Sequence, residues 1–169
     1  MSADLVLEPA NPSDLAGIER LLAANQLPTD GVGQCLDSAI VVRDKGRVIA
    51  CAALETYQSG VLLRSVAVDQ SFRGRGLGKR VIGAALALAR AGDARTAYLL
   101  TTTAAGFFSR FGFERIDRPD VPHDVQPSIE FTSACPSSAT VMRADLRSVD
   151  QVGQVSQVRR VGHGPVRPT

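Results

Sequence analysis

The stretch Val66-Ala67-Val68-Asp69-Gln70-Ser71-Phe72-Arg73-Gly74-Arg75-Gly76-Leu77-Gly78-Lys79-Arg80 decides the fold of this chain. Its first three residues end an apolar run that is typical of a β-strand. From residue 76 to residue 90, apolar side chains recur at three- and four-residue spacing, as they do on one face of a helix. The sequence therefore predicts a strand, a glycine-rich turn and a helix in direct succession.

The glycine-rich turn is suited to bind an anion. Glycine lets the backbone approach a ligand closely, and successive amides at the start of a helix form a nest that the helix dipole favours. Four side chains add positive charge: Arg73, Arg75, Lys79 and Arg80. These features favour a phosphate-bearing ligand, and a solvated turn without a ligand is the alternative.

Two common phosphate-binding motifs do not fit this turn. A Walker A loop requires glycine at the position of Arg73 and serine or threonine at the position of Arg80. A dinucleotide fingerprint that starts at Gly74 requires its third glycine one residue beyond Gly78, at the position of Lys79. Both classes are therefore excluded.

The rest of the chain predicts a mixed α/β sheet. Strands are predicted at residues 5–8, 39–43, 48–57, 61–68, 96–100 and 139–146, with another opening at residue 112, and helices at about 13–25, 76–90 and 104–111. The hairpins make the sheet mostly antiparallel, whereas the strand–helix–strand crossover through residues 76–90 makes one pair parallel. Residues 26–34 are predicted to form an irregular loop near the mouth of a site.

Composition and charge limit the functional classes. The chain has 169 residues, 44% hydrophobic and 21% charged, which favours one globular domain over a disordered or fibrous class. Residues 81–89 are the longest nearly apolar stretch and are too short to cross a bilayer, and the N-terminus does not resemble a signal peptide. A cytoplasmic protein without membrane partners is predicted.

Charge is unevenly distributed along the chain. The net charge is +2, but four arginines and one aspartate lie from residue 147 onward, so the preceding part is not basic. This argues against a nucleic-acid platform. Because no apolar periodicity continues past residue 147, we expect a domain at residues 1–147 and a flexible tail at residues 148–169.

The cysteines do not indicate a metal site or a disulfide framework. Cys35, Cys51 and Cys135 are widely spaced, and His123 and His163 are the only histidines. No pair of cysteines has the CxxC spacing of a zinc or redox site. Buried free thiols are predicted instead.

Two motifs resemble those of the GCN5-related N-acetyltransferases, the GNAT family. Arg73-Gly74-Arg75-Gly76-Leu77-Gly78 is similar to the family motif Q/R-x-x-G-x-G/A, and Phe107-Phe108-Ser109-Arg110-Phe111-Gly112-Phe113 resembles the second landmark, F-Y-x-K/R-x-G-F. The resemblance covers about residues 4–146. It implies a sheet with a central splay, flanked by helices, and acetyl-CoA as the acetyl donor.

The resemblance also implies which residues bind the cofactor. The pantetheine arm is expected on the backbone of the strand and the pyrophosphate on the glycine turn. A bulge in the strand would aim one amide at the thioester carbonyl, as an oxyanion donor. The implied cofactor residues are Val66, Ala67, Val68, Arg73, Gly74, Arg75, Gly76, Gly78, Lys79 and Phe108.

Three further segments resemble the arsenic-resistance (ArsN-type) branch of the family. They are Leu62-Leu63-Arg64-Ser65-Val66-Ala67-Val68, Tyr98-Leu99-Leu100-Thr101-Thr102-Thr103-Ala104-Ala105-Gly106-Phe107-Phe108 and Glu130-Phe131-Thr132-Ser133-Ala134-Cys135-Pro136. This branch is linked to acetylation of amino-acid antibiotics of the arsinothricin/phosphinothricin type. The resemblance therefore implies a small amino-acid-like acceptor.

Acetyl transfer needs a route for protons, and two residues are candidates. Glu55, near the end of its strand, is the candidate general base, and a solvated strand-end carboxylate is the alternative. The usual tyrosine of the second landmark is Phe108 here, which removes the family's common proton donor to the thiolate. Ser109 is the neighbouring hydroxyl, although a CoA thiolate can also leave unassisted or take a proton from water.

The candidate acceptor residues are Arg64, Thr101, Thr102 and His123. Strand alternation would place Arg64 beside Val66 and Val68. There it either binds a substrate carboxylate or pairs with Glu55. The threonines could reach a polar ligand, with Thr103 as a helix cap, and His123 is either a base or a rim residue.

Three functions are compared. The first is an acetyl-CoA-dependent N-acetyltransferase that acts on a small amino-acid-like amine. A variant of this function is an N-acetyltransferase that acts on an unrelated amine. A catalytically silent acyl-CoA sensor is the second, because the tyrosine is missing. Nucleic-acid binding through residues 73–80 is the third. Dimers are common in the family, so the resemblance also allows a homodimer.

Overall fold

The computed structural model describes residues 5–128, 131 and 137–149. The strands form one sheet in the order β1-β2-β3-β4-β5-β7-β6. Their bounds are β1 Leu7–Pro9, β2 Ala39–Asp44, β3 Arg47–Tyr57, β4 Gly60–Val68, β5 Thr96–Thr101, β6 Glu114–Ile116 and β7 Thr140–Asp145. The helices are α1 Leu15–Ala24, α2 Leu77–Ala91, α3 Ala105–Ser109 and α4 Leu146–Val149.

The sheet is mixed and mostly antiparallel, as predicted. β4 and β5 run parallel, and the remaining neighbours run antiparallel. The parallel pair is joined through α2, which is the crossover that the periodicity of residues 76–90 predicts.

Helices cover both faces of the sheet. On one face, the apolar side of α2 packs against β3 and β4, with Val81, Ile82 and Ala85 fully buried. On the other face, Ile18 and Leu22 of α1 pack into a second apolar cluster. The sheet is therefore the middle layer of the domain.

β4 and β5 separate soon after they begin. A Cβ on Gly60 would lie 2.5 Å from the carbonyl oxygen of Thr96, so the absence of a side chain permits this close approach. The strands pair at Val61 with Ala97 and at Leu62 with Tyr98, and then diverge. The implied central splay is thus confirmed.

A bulge interrupts β4 where the strands diverge. Arg64 pairs with Ala53 and Ala67 pairs with Cys51, so two residues of β4 lie opposite Ala52 alone. One of the two is Ser65, whose φ of 58° is left-handed. The implied bulge in this strand is confirmed.

The bulge overturns one prediction about Arg64. Simple alternation would place Arg64 beside Val66 and Val68, but those two valines pack on the core beneath α2. The Arg64 side chain instead contacts Glu55 and the carbonyl of Asp30. The prediction is wrong because the extra residue reverses the alternation of faces.

The end of the described domain is anchored in the core. Leu146 is fully buried, and its amide donates a hydrogen bond to the carbonyl of Arg95 at 2.8 Å. α4 runs to Val149, two residues past the predicted boundary at residue 147. The rest of the predicted tail lies outside the described residues.

The described ranges also bear on the predictions about membrane spans, metal sites and cysteines. None of the helices in the described ranges is long and apolar enough to span a bilayer. Those ranges also hold no group of three or more His, Cys, Asp or Glu suited to a metal ion. Cys35 and Cys51 are buried thiols, as predicted, and Cys135 lies outside the described residues.

Candidate active site

A cleft of about 1510 Å³ fills the space between the separated strands. Residues 63–68 of β4 form one wall and residues 99–104 the other. The glycine turn and the first turn of α2 close one end, and α3 contributes aromatic side chains. The cleft joins a helix N-terminus, a bulged strand edge and a set of hydroxyls in one continuous space.

The glycine turn has the conformation that its sequence favours. Gly74 and Gly76 have φ of 84° and 80°, a region that side chains rarely adopt, and Gly76 lies directly before α2. A Cβ on Gly78 would lie 3.5 Å from the Phe107 ring and 3.7 Å from Val68. The turn thus presents the amides at the start of α2 to the cleft while packing closely on β4 and α3.

The cleft contains nine of the ten cofactor residues implied by the resemblance. Arg75 is the exception, because its guanidinium lies over the Phe72 ring, 4.9 Å from the centroid. The nine are Val66, Ala67, Val68, Arg73, Gly74, Gly76, Gly78, Lys79 and Phe108.

The free edge of β4 faces the cleft. Beyond Leu62, the described pairings give β4 no partner on its β5 side. Backbone groups of Val66, Ala67 and Val68 on this edge are therefore available to a ligand. A linear amide-containing chain could extend this edge as an added strand does.

The loop after α1 forms another wall that sequence analysis identified only in outline. Its position near a site mouth was predicted, but the lining residues Asn25, Gln26, Leu27 and Pro28 were not named. Arg73 of the glycine turn donates a hydrogen bond to Asn25 Oδ1, and Asn25 Nδ2 donates to the carbonyl of Leu21 at 2.9 Å. The apolar Leu27-Pro28 pair, which is partly buried, was the available signal.

Glu55 belongs to a partly buried polar cluster and does not line the cleft. Its carboxylate accepts hydrogen bonds from Tyr57 at 2.5 Å and from Ser128 and Arg64 at 2.6 Å each. Burial alone would raise the pKa of Glu55, but these donors together hold the pKa below its ordinary value. A carboxylate with this environment is a poor general base, so the geometry does not support the predicted role.

Tyr57 in the same cluster is equally unsuited to proton transfer at neutral pH. Burial and the neighbouring Glu55 carboxylate raise the pKa of Tyr57 to about 12. Its hydroxyl therefore stays protonated and serves as a donor to Glu55.

Arg64 lies at the cleft, but its guanidinium is already engaged. The side chain has no exposed surface, and Nη1 lies 2.6 Å from Glu55 Oε2. Nη2 donates to the carbonyl of Asp30 at 2.5 Å and Nε to Ser65 Oγ at 3.1 Å. Of the two interpretations in the sequence analysis, these contacts favour the pair with Glu55.

The threonines that end β5 line the cleft as predicted. Thr101, Thr102 and Thr103 all belong to its wall. The Thr101 hydroxyl accepts a hydrogen bond of 3.0 Å from the amide of Ala104, the residue just before α3. The N-cap position of α3 is Ala104, and the helix has no side-chain cap, so the capping role predicted for Thr103 is not found.

Two other predicted site residues lie elsewhere. Ser109 is exposed and outside the cleft, and its hydroxyl donates to the carbonyl of Gly106, three residues earlier, at 2.8 Å. His123 is exposed on its loop and is also absent from the cleft wall. Phe108, in contrast, is buried at the cleft and packs edge-to-face on Phe107 and Phe113.

Comparison with known proteins agrees with this geometry. Residues 36–115 match the acetyltransferase (GNAT) domain family. This match covers 80 of the 169 residues, so just under half of the chain is similar to that domain family. Over 82 residues, 48% of this chain, the sequence is 32% identical to an uncharacterized N-acetyltransferase of Chlorobaculum tepidum. The chain spans about half, 52%, of that curated relative.

Solved structures share the fold of this chain. One is an N-acetylglutamate synthase from Neisseria gonorrhoeae complexed with coenzyme A and N-acetyl-glutamate (TM-score 0.73, 17% identity, 86% of this chain and 36% of that chain). Another is a Mycobacterium tuberculosis protein in complex with CoA (TM-score 0.70, 22% identity, 83% and 98% of the two chains). At such identities the likeness shows the fold alone.

Proposed function

We propose that this chain is an N-acetyltransferase that moves acetyl from acetyl-CoA to the amine of a small amino-acid-like substrate. One observation carries the proposal: a single cleft of about 1510 Å³ joins the glycine turn to the bulged edge of β4. An anion nest at one end and free strand amides at the other match a ligand with a diphosphate head and an amide-containing arm.

In this proposal the cofactor lies along the cleft. Its pyrophosphate accepts hydrogen bonds from the amides at the start of α2, near Gly76 and Gly78, with Arg73 and Lys79 supplying positive charge. Its pantetheine arm runs beside Val66–Val68 on the free edge of β4. The acetyl group then lies at the bulge.

The chemical step is direct transfer. A neutral amine attacks the thioester carbonyl, so a C–N bond forms, the C–S bond breaks and the nitrogen loses a proton. An amide at the bulge stabilises the oxyanion that develops on the carbonyl oxygen. The amine must first lose a proton, because an α-amine has a pKa near 8 and is mostly protonated at pH 7.

Water supplies the proton route in this proposal. The described residues of the cleft wall include no Asp, Glu or His. The proton of the amine therefore goes to solvent in the open cleft. Because Phe108 has no hydroxyl, the CoA thiolate takes its proton from water as well.

The acceptor class rests on sequence and on structural analogy. The three segments that resemble the arsenic-resistance branch support an acceptor of the arsinothricin/phosphinothricin type. The Neisseria gonorrhoeae neighbour was solved with N-acetyl-glutamate, which supports amino-acid-like acceptors in this fold. Thr101 and Thr102 are the hydroxyls that we propose contact the acceptor. The cytoplasmic location and a homodimer stay predictions.

A screen of CoA release tests the proposal. Acetyl-CoA is offered with a panel of proteinogenic amino acids, their arsenic and phosphorus analogues, and simple polyamines. We expect turnover with at least one amino-acid-like amine. Binding of acetyl-CoA without turnover of any amine would favour the silent sensor, and turnover of polyamines alone would contradict the acceptor class.

A further inference from the structure

The bulge in β4 holds Ser65 in a left-handed backbone conformation. Ser65 has a φ of 58°, although its side chain disfavours that region. A residue in such a conformation persists only where its surroundings hold it. The contacts around Ser65 identify what holds it.

Cys51 contacts both sides of the bulge. Cys51 is 1% exposed, and its Sγ donates a hydrogen bond to the carbonyl of Ser65 at 3.1 Å. Ala67 pairs with Cys51 in the sheet and packs in the same apolar cluster. Burial raises the pKa of Cys51 to about 12, so the thiol keeps its proton and remains a donor at neutral pH.

Arg64 restrains the same residue through its side chain. Arg64 Nε donates to Ser65 Oγ at 3.1 Å, and the ion pair with Glu55 fixes the guanidinium in turn. The backbone carbonyl and the side chain of Ser65 are therefore held by two different buried groups.

We propose that Cys51 is a positioning residue for acetyl transfer: with Arg64, its thiol holds Ser65 in the left-handed conformation that aims the bulge at the acyl group. Cys51 itself does not touch the reactants. The inference rests on the proposed function, because it assigns the bulge amide to the thioester carbonyl.

Three variants test this role. Cys51→Val removes the donor at similar volume, Cys51→Ser keeps a donor, and Cys51→Val with Ser65→Gly removes the donor but lets the backbone adopt positive φ freely. We expect Cys51→Val to lower kcat about tenfold. A misplaced oxyanion donor should lower kcat, but by less than the complete removal of that donor would. Cys51→Ser and the double variant should recover most of kcat.

The readouts separate positioning from general destabilisation. Calorimetry should show that Cys51→Val weakens acetyl-CoA binding more than CoA binding, since only acetyl-CoA carries the carbonyl. Cys35→Val is the matched control, because Cys35 is another buried thiol, whose Sγ donates to the carbonyl of Gly31 at 3.5 Å rather than to the bulge, and it should keep kcat. If Cys51→Val fails to fold, Cys51→Ala replaces it in all comparisons.

Two outcomes would overturn the inference. One is wild-type kcat in Cys51→Val, and the other is an equal loss in all three variants, which would indicate core packing. If the wild-type protein turns over no amine, the proposed function fails separately. The infrared S–H band of Cys51, identified by difference against Cys51→Val, then decides: a free-thiol frequency contradicts the hydrogen bond to Ser65.

Discussion

Arg64 Nη1 lies 2.6 Å from Glu55 Oε2, and the arginine side chain is completely buried. This pair connects the bulged strand β4 to β3, and through Asp30 it also reaches the loop that borders the cleft. The ion pair between Arg64 and Glu55 therefore stabilises the walls of the site. The stability of the protein should depend on this ion pair.

Acidification should weaken the contribution of Glu55 to stability. Because the pKa of Glu55 is lowered in the folded protein, the unfolded state binds the proton more readily, and the stabilisation is present above the ordinary value of 4.5. It is lost as pH falls through the lower folded pKa. Urea unfolding at pH 7 should show a less stable Glu55→Gln variant, and the difference from wild type should shrink below pH 4.5.

The control for this prediction is Glu19→Gln, which changes an exposed carboxylate on α1. Its free energy of unfolding should follow that of the wild type at every pH. A constant difference between wild type and Glu55→Gln across the whole range would contradict the assigned role of ionised Glu55.

Removal of Arg64 should cost more than removal of the whole pair. Arg64→Met leaves the Glu55 carboxylate without its cation, and breaking a buried pair costs about 3–5 kcal/mol. The double variant Arg64→Met/Glu55→Gln should recover part of this loss. Chemical denaturation of the single and double variants measures both values.

A conservative substitution of Arg64 distinguishes its two possible roles, which are binding of a substrate carboxylate and pairing with Glu55. Suppose that Arg64→Lys keeps the melting temperature but lowers kcat/KM about tenfold for acceptors with a carboxylate only. Then the planar guanidinium binds the substrate, because a lysine lacks its two-pronged geometry. We expect the opposite result, with stability and all acceptors affected together.

The glycine turn should be essential for cofactor binding. Gly76→Val places a branched side chain at a φ of 80°, and any bulky residue at Gly78 meets Phe107 and Val68. A variant with bulky residues at both Gly76 and Gly78 should therefore no longer bind acetyl-CoA. Calorimetry measures this loss. Gly83→Ala is the matched control within α2, where an added Cβ meets open space. It should keep the affinity and gain about 0.5–1 kcal/mol of stability.

The pH dependence of the reaction should reflect the acceptor and not a protein base. In the absence of an Asp, Glu or His among the described cleft residues, kcat/KM should rise about tenfold per pH unit up to the pKa of the amine, about 8 for an α-amine. His123→Ala and Ser109→Ala should reproduce the wild-type profile. An inflection near pH 6–7 that one of these variants removes would show that the residue transfers a proton.

The C-terminal end should be dispensable only beyond α4. A chain that ends at residue 150 keeps Leu146 in the core, so its melting temperature and activity should match the full chain. Leu146→Ala leaves a cavity at a fully buried site and should cost about 2–5 kcal/mol. A large loss of stability on truncation would mean that residues 151–169 pack on the domain.

Much of the fold follows from local sequence patterns. The hairpin around Lys45 and Gly46, the helix after Gly76 and the parallel crossover were all predicted, because each depends on periodicity or on turn residues close in the chain. The cofactor end of the site is predictable for the same reason, since its turn, its charges and its helix N-terminus occupy one continuous segment.

The other half of the site depends on contacts between distant segments. Sequence periodicity gives no sign that Ser65 adds a residue to β4, so it placed Arg64 on the wrong face. It also could not show that Ser128 and Tyr57 donate to Glu55, which turned a candidate base into a structural anion. The sequence by itself determined the strand–turn–helix unit because its cause is local. Only the tertiary structure decided the contacts of Glu55, Arg64 and Cys51, because burial and hydrogen-bond partners arise when remote strands pack together.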